Sequence, residues 1–412
     1  MSPPPFRRIY PAFATGYLVS YLYRNVNAVI SPELTRELGL GPGALGLLTS
    51  AYFLAFGAMQ LPAGMLLDRL GPRRVEPVLL GVAGLGALAF GLAQGELGLL
   101  LARGLIGLGV AVCLMAPMKA IAAWYPPEQQ ASLAGWVMTG GALGALSATA
   151  PVELALRFTT WRGVFFGLAA ATLVVALWVW ARVPDLPAPA RSISVGAQWR
   201  GVVQVFGSGR FWWLAPLGGL GMGSFMAIQG LWAMPWMLQV QGLDRPQAAR
   251  QLFAMGLALL AGYLLVGLFS RRLAARGIGP RHLYATGFTL HAVALLALVL
   301  RLPAPVAWWC LYALGAAANL LAFTVLNQGV PPELAGRANT ALNLLMFGGS
   351  FLTQWGVGVA VEQLQARLGL DAAQALVAAF AVVLVGLVGS LLWLARGWRR
   401  YAVVVPSQAP LP

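Results

Sequence analysis

The chain is a series of long apolar runs separated by short segments rich in glycine, proline and charged residues. Each run holds about 20 residues or more, the length that a helix needs to cross the hydrocarbon core of a bilayer. Because a backbone in hydrocarbon must satisfy its own hydrogen bonds, such runs predict membrane-spanning helices. There are twelve, at 9–32, 44–67, 75–94, 98–123, 131–154, 162–182, 211–238, 247–269, 282–300, 305–329, 338–361 and 372–395.

One polar interruption, rich in proline and arginine, is much longer than the others and divides the helices six and six. It predicts a helical bundle at 1–182, a linker at 183–210, a second bundle at 211–398 and a tail at 399–412. An internal repeat supports the division, since 125–128 (Tyr-Pro-Pro-Glu) returns 205 residues later as 330–333 (Val-Pro-Pro-Glu). Duplicated halves with a site between them are typical of secondary transporters.

Composition agrees with a polytopic all-α membrane protein in two six-helix, pseudo-symmetric bundles. Of 412 residues, 59% are hydrophobic and 9% charged, against roughly 25% charged in soluble domains. The net charge of +15 does not indicate a nucleic-acid partner, because the arginines stand at the ends of apolar runs. Seventeen basic residues fall on the side that carries the termini and seven on the other. This bias predicts cytoplasmic termini in a plasma or bacterial inner membrane, with the lipid bilayer as partner.

Three motifs resemble those of the major facilitator superfamily (MFS). The loop after helix 2, residues 64–74, has a glycine, then Asp-Arg, then glycine and a basic pair. Residues 103–109 resemble the superfamily's helix 4 motif, and 161–165 resemble its usual entry to helix 6. The resemblance implies a twelve-helix carrier that works by alternating access and is not an enzyme. It also implies gating roles for Asp68, Arg69, Arg73 and Arg103.

Two other transport functions within the superfamily remain as alternatives. A drug/proton antiporter is disfavoured, because helix 5 lacks the Gly-Pro pair of those members. A copper or other metal or cofactor importer is the second alternative, on the spacing of Met222, Met226 and Met255. Thioethers suit Cu(I), but those importers have a histidine where this chain has Gln251. A membrane scaffold that moves no solute is the least favoured hypothesis.

Arg24 is the leading candidate for substrate binding. It lies near the middle of helix 1, where an ionisable group is costly unless it faces a cavity or a partner. Tyr17, Tyr21 and Asn27 share its face at helical spacing. The alternative is an arginine that snorkels outward or pairs structurally with Glu33 or with another helix. Further polar or aromatic candidates on inward-facing helices are Lys119, Gln229, Trp232, Asn339, Asn343 and Gln354.

The twelve acidic residues all fall near span ends or in loops, so the sequence predicts no carboxylate at mid-membrane. Coupling through a central acid is therefore disfavoured, and fixed positive charge would favour a small organic anion as substrate. Tyr17, Tyr21, Trp232 and Trp236 could stack against a planar part of it. We expect no cofactor, no metal centre other than the methionine alternative, and a monomer.

Overall fold

The computed structural model describes residues 6–185, 200, 203–328, 330 and 332–401. Across these ranges the chain is helical and contains no strand. The first three helices are α1 (Phe6–Leu38), α2 (Pro42–Leu70) and α3 (Pro72–Leu92). Two helices are broken into pieces: α4 consists of Glu96–Gly109 and Met115–Trp124, and α5 consists of Pro127–Ser147 and Ala150–Ala155. Helix α6 is Trp161–Arg182. We call these six the first half.

The second half begins with α7, whose α-helical pieces Gly209–Ala227 and Ala233–Gln239 flank a π-helical turn, Ile228–Trp232. Then follow α8 (Arg245–Ala275) and α9 (Pro280–Val299). In α10 the pieces Pro305–Ala316 and Leu320–Asn327 flank a 3₁₀ turn, and α11 and α12 are Pro332–Leu368 and Ala372–Arg396. The expectation of twelve helices is confirmed. The predicted linker and tail lie mostly outside the described residues.

Several helix starts follow from local sequence. Asp244 and Asp371 each accept a hydrogen bond from the backbone three residues later, and a glutamine at that position bonds back to the cap. This reciprocal pair satisfies two backbone donors that the first turn leaves free. Gly71 connects α2 to α3 at φ +75°, a backbone conformation that favours glycine.

Nine helices of the described ranges are long and apolar enough to cross a membrane. The other three are α1, α4 and α5; α1 carries several charged residues, and the other two are interrupted by turns. Observed helices are also longer than the predicted spans: α1 extends from Phe6 to Leu38, whereas the predicted span is 9–32. Because successive helices alternate in direction, the start of α1 and the end of α12 share one side, here called the terminal side. The opposite side is the distal side.

The two halves meet mainly where α2 packs along α11 and where α1 crosses the π turn of α7. Inside the first half, α1 packs against α5, and α3 packs against α4 and α6. In the second half, α7 packs against α11, and α10 packs against α8 and α9. Helix α1 therefore lies between its own bundle and the opposite one, which places its polar face at the centre of the molecule.

Close approach of α1 and α5 depends on glycine, and this gives a test of the packing. A methyl group at Gly144 would overlap the backbone carbonyl of Leu18, and backbone cannot give way as a flexible side chain can. We expect Gly144→Ala to lower the free energy of unfolding by about 1–3 kcal/mol, seen as a lower melting temperature. Gly135→Ala, on the same helix with nothing within 4 Å, is the matched control. Equal melting temperatures for the two variants would contradict the close contact.

Candidate functional site

Arg24 lies at the centre of the molecule in an aromatic cage drawn from both halves. The carbon between its guanidinium nitrogens is 4.5 Å from the ring centroid of Tyr21, 5.1 Å from that of Phe56 and 5.8 Å from that of Phe347. Phe56 comes from α2 and Phe347 from α11, and their rings are 4.6 Å apart. Aromatic faces attract a cation, but they do not neutralise its charge.

No carboxylate compensates Arg24 among the residues that the structure describes. Its side chain forms no ion pair there, and its Nε atom is buried without a hydrogen-bond partner. Glu33, one partner that the structural hypothesis offered, is bound to Arg245 instead. The residue is only 6% exposed. A buried cation without a counter-charge is costly unless an anion reaches it.

Tyrosines supply most of the polar groups around Arg24. Tyr17 and Tyr21 meet edge to face with ring centroids 5.0 Å apart. Tyr52 of α2 lies within electrostatic reach of the guanidinium, and so does Tyr263 of α8. Phenol hydroxyls can donate to a carboxylate and their rings can pack on a sugar or other flat ligand. Tyr21 and Tyr263 are half-buried.

The second half contributes amide side chains near this cage. Gly230, in the π turn, lies against the carbonyl of Arg24 and close to the amide nitrogen of Gln354. Gln354 is fully buried, and neither end of its amide has a hydrogen-bond partner in the described structure. Gln229 is half-buried in the same turn. Turns of this kind inside α-helices are frequent at functional sites.

The remaining polar candidates differ in position. Asn27 donates to Thr49 of α2 at 3.0 Å, so its amide nitrogen holds the two helices together. Asn339 and Asn343 are half-buried on α11, on the terminal side of Phe347.

The two tryptophans expected to stack against a ligand are packed within the protein. Trp232 is 2% exposed and donates from its indole nitrogen to the carbonyl of Gln354 at 2.9 Å. Trp236 stacks on Phe380 with ring centroids 4.5 Å apart. Neither ring is available in this conformation, which corrects the expectation drawn from helical spacing.

Lys119 is bonded to Asp68, one of the residues to which the loop motif implied a gating role. Its ammonium therefore already has a counter-charge. For this reason Lys119 is not among the residues proposed below to bind the substrate. Arg73 donates to Asp185 at 2.9 Å, while Arg69 is exposed. These contacts tie α2, α3, α4 and the end of α6 together on the terminal side.

Arg103 lies deep in α4 and is 0% exposed. All three guanidinium nitrogens lack a hydrogen-bond partner in the described part of the chain. Its guanidinium carbon is 5.1 Å from the ring centroid of Tyr52. The hydroxyl of Tyr52 in turn donates to the carbonyl of Ser20 at 3.2 Å. Tyr52 thus stands between two buried arginines, Arg24 and Arg103.

A set of hydrogen bonds on the distal side, here called the clamp, connects the two halves. Arg245, the first residue of α8, donates to Glu33, to Glu153 at 3.3 Å and to the carbonyl of Val29 at 3.3 Å. These three residues belong to α1 and α5, so the clamp joins the two halves. The ion pairs described on the terminal side all lie within the first half.

Glu37 forms a second distal cluster, within the first half and beyond the predicted span 9–32. It accepts hydrogen bonds from the indole of Trp161 at 2.6 Å and from Arg162. The Trp161 hydrogen bond, with the bond and charge of Arg162, lowers the pKa of Glu37 below its ordinary value. Glu37 therefore stays ionised and anchors α1 to the start of α6.

The methionines of the copper alternative are spread over two helices. Met226 accepts a hydrogen bond from Ser350 at 3.3 Å, while Met222 and Met255 are buried in the core. Within the described ranges, no three His, Cys, Asp or Glu side chains group as metal ligands.

Several residues of the cage were not predicted from sequence. Tyr52, Phe56 and Tyr263 belong to helices α2 and α8, where no polar stripe marks them, and Phe347 is an apolar member of the α11 face that carries Asn343 and Gln354. Their only signal was aromatic character inside an apolar run, which is shared by many core residues. The contact that selects them is the crossing of helices from opposite halves.

A twelve-helix bundle pair with an uncompensated cation between its halves is the architecture of a solute carrier. Comparison with known proteins gives the family: the profile of the Major Facilitator Superfamily matches residues 13–354. The chain belongs to this superfamily, as its loop motif implied.

Individual relatives are more distant. A galacturonate transporter of Dickeya chrysanthemi is 29% identical over 40% of this chain and 48% of its own length. A hexuronate transporter of Escherichia coli (strain K12) is 29% identical over 39% of this chain and 38% of its own. The chain thus matches less than half the length of these relatives. The crystal structure of a bacterial homolog to the human lysosomal transporter Spinster, in an inward-facing and unoccupied conformation, shares the fold. Its TM-score is 0.75 at 19% identity, covering 98% of this chain and 100% of that one.

Proposed function

We propose that the protein is a secondary transporter for a small sugar-acid anion of the hexuronate type. The observation that carries this is Arg24, a buried cation at the centre of the molecule with no carboxylate beside it in the described structure. A ligand carboxylate would supply the missing counter-charge in a bidentate, charge-assisted pair. The relatives that act on galacturonate and hexuronate support this substrate class.

The surrounding groups suit the rest of such a molecule. Tyr17, Tyr21 and Tyr263 offer hydroxyls and ring faces next to the guanidinium. Gln354 and Gln229 offer amides, which can donate to and accept from sugar hydroxyls. We include Asn339 and Asn343 as residues that line the path from the terminal side, and Asn27 as a helix-positioning residue.

Transport would proceed by alternating access of the two halves about this site. With the termini in the cytoplasm of a bacterial or other plasma membrane, the structure would be the state closed to the outside by the Arg245 clamp. Asp68, Arg69 and Arg73 would act in closing the cytoplasmic side, with Arg103 supporting α4. We propose that a single chain, embedded in the bilayer, suffices for this.

Thermal stabilisation of the purified protein tests the substrate class. A ligand that binds only the folded state raises the melting temperature, and at 100 times its dissociation constant it adds about 2.7 kcal/mol. We expect D-galacturonate to raise the melting temperature and D-galactose, which lacks only the carboxylate, to leave it unchanged. Ethidium and Cu(I) probe the drug and copper alternatives. Stabilisation by galactose alone, by ethidium alone or by Cu(I) alone would contradict the proposal.

A further inference from the structure

Glu76 lies near a span end, as the sequence predicts for the acidic residues, yet it is buried within the protein. It stands one turn into α3, but the folded chain leaves it 0% exposed. Neither oxygen of its carboxyl group has a hydrogen-bond partner in the part of the chain that the structure describes. No other glutamate or aspartate of these ranges is buried with both oxygens unpartnered.

The groups that face Glu76 do not offer a positive charge. On α1, an ideal Cβ at Gly16 would be 2.8 Å from its Oε1 atom, so the carboxyl group lies directly against that helix. On α4, the thiol of Cys113 lies within its electrostatic reach, and Lys119 is bonded to Asp68 of α2. On α3 itself Arg73 is bonded to Asp185, and on α6 Arg182 is exposed at the helix end.

An ionised carboxylate in such surroundings is very costly, because it has given up water and gained neither a counter-charge nor a donor. Carboxyl groups in this situation bind a proton and become neutral. A proton bound to Glu76 removes this cost. The residue lies about 6 Å along α3 from the terminal side.

Glu76 is also placed to sense the charge at Arg24. Cys113, in the turn that breaks α4, lies within electrostatic reach of both residues. Along α1, Arg24 is eight residues beyond Gly16, which is about 12 Å. A positive charge at that distance in a low-dielectric interior opposes protonation of Glu76. An anion on Arg24 removes that opposition, so anion and proton favour each other's binding reciprocally.

We propose that Glu76 is a proton-binding site and that its proton is taken up together with the anion at Arg24. The anion part rests on the proposed function above, whereas the proton site rests on Glu76 alone. Net charge balances, since one proton is bound for each monovalent anion. The combination would let a proton gradient drive accumulation of the anion.

The first experiment uses no ligand. Infrared spectra of the full-length protein at neutral pH should contain the C=O stretch of a protonated carboxylic acid, and Glu76→Gln should remove it. Glu96→Gln, an exposed glutamate at the start of α4, should leave it in place. If the amide variant does not fold, Glu76→Met removes the acid without adding charge. A wild-type spectrum without this stretch, or a stretch that survives in the Glu76 variant, would overturn the proton site.

The second experiment adds D-galacturonate to weakly buffered protein containing a pH indicator, at a pH where the ligand-free protein has lost the Glu76 infrared stretch, and measures the protons taken up. We expect about one proton per galacturonate bound, and affinity that falls about tenfold per pH unit once the empty protein releases the Glu76 proton. Glu76→Gln should bind galacturonate with no proton uptake and little pH dependence. Binding by the wild type without proton uptake would overturn the linkage. A protein that shows the Glu76 stretch but binds no galacturonate would count against the anion site and leave the proton site standing.

Discussion

We expect Arg24→Ala to abolish the stabilisation of the protein by D-galacturonate while leaving the empty protein at least as stable as the wild type. Truncating one partner of a buried, hydrogen-bonded charge pair costs roughly 2–5 kcal/mol of binding free energy, which is about 30-fold or more in affinity. The empty protein behaves differently, because no carboxylate is bound to Arg24 in the described structure. Removing an uncompensated buried cation leaves no opposite charge stranded.

Arg24→Lys separates charge from geometry. It retains the positive charge but loses the planar fork that binds a carboxylate through two parallel hydrogen bonds. Affinity for galacturonate should therefore fall between that of the wild type and that of the alanine variant. Arg36→Ala, an exposed arginine three turns further along α1, is the matched control and should bind normally. Dissociation constants and ligand-free melting temperatures of all four proteins give the comparison.

If Arg24 had a structural role, the stability of the ligand-free alanine variant would change in the opposite way. In that case Arg24→Ala would unfold at a lower temperature than the wild type before any ligand is added, because a buried acceptor or acid would lose its partner. An alanine variant that is well folded and binds galacturonate with wild-type affinity would remove Arg24 from the site. Most of the case for an anionic substrate would be lost with it.

The helices and the central arginine could be predicted because both depend on local properties of the chain. Run length gives the number of helices, and the cost of burying a charge picks out Arg24 inside an apolar run. The same reasoning placed Trp232 towards the ligand, since it shares a helical face with Gln229. In the structure that face meets α11, and the indole donates to the carbonyl of Gln354.

What sequence periodicity omits is the identity of the opposing helix. Phe347 and Tyr263 reach Arg24 only because α11 and α8 pack against the first half at particular rotations. The burial of Glu76 could not be predicted from sequence periodicity either. Its sequence position, four residues after Pro72, indicates a helix end exposed to water, but Gly16 lets α1 cover it. Burial is set by the neighbour, and the neighbour is far away in sequence.

We expect Arg245→Ala to open the distal side of the protein. The arginine holds Glu33 and Glu153, whose side chains are each 11% exposed, and its removal leaves two largely buried carboxylates facing each other. Leaving buried charged groups unpaired costs about 1–3 kcal/mol, and that cost applies only while the distal side is closed. A change of 1.4 kcal/mol moves a two-state equilibrium about tenfold. We therefore expect the open state to gain about tenfold in population.

A reporter cysteine at Val29 makes this measurable. Val29 is 0% exposed and its carbonyl accepts from Arg245, so Val29→Cys should react slowly with a membrane-impermeant maleimide added from the distal side. The native thiols, Cys113 and Cys310, are first replaced by serine. Adding Arg245→Ala should accelerate labelling about tenfold, whereas Arg250→Ala, an exposed arginine further along α8, should not change it. Because the open state cannot form without separating Arg245 from α1 and α5, equal labelling rates in all three proteins would mean that the clamp does not hold the distal side closed.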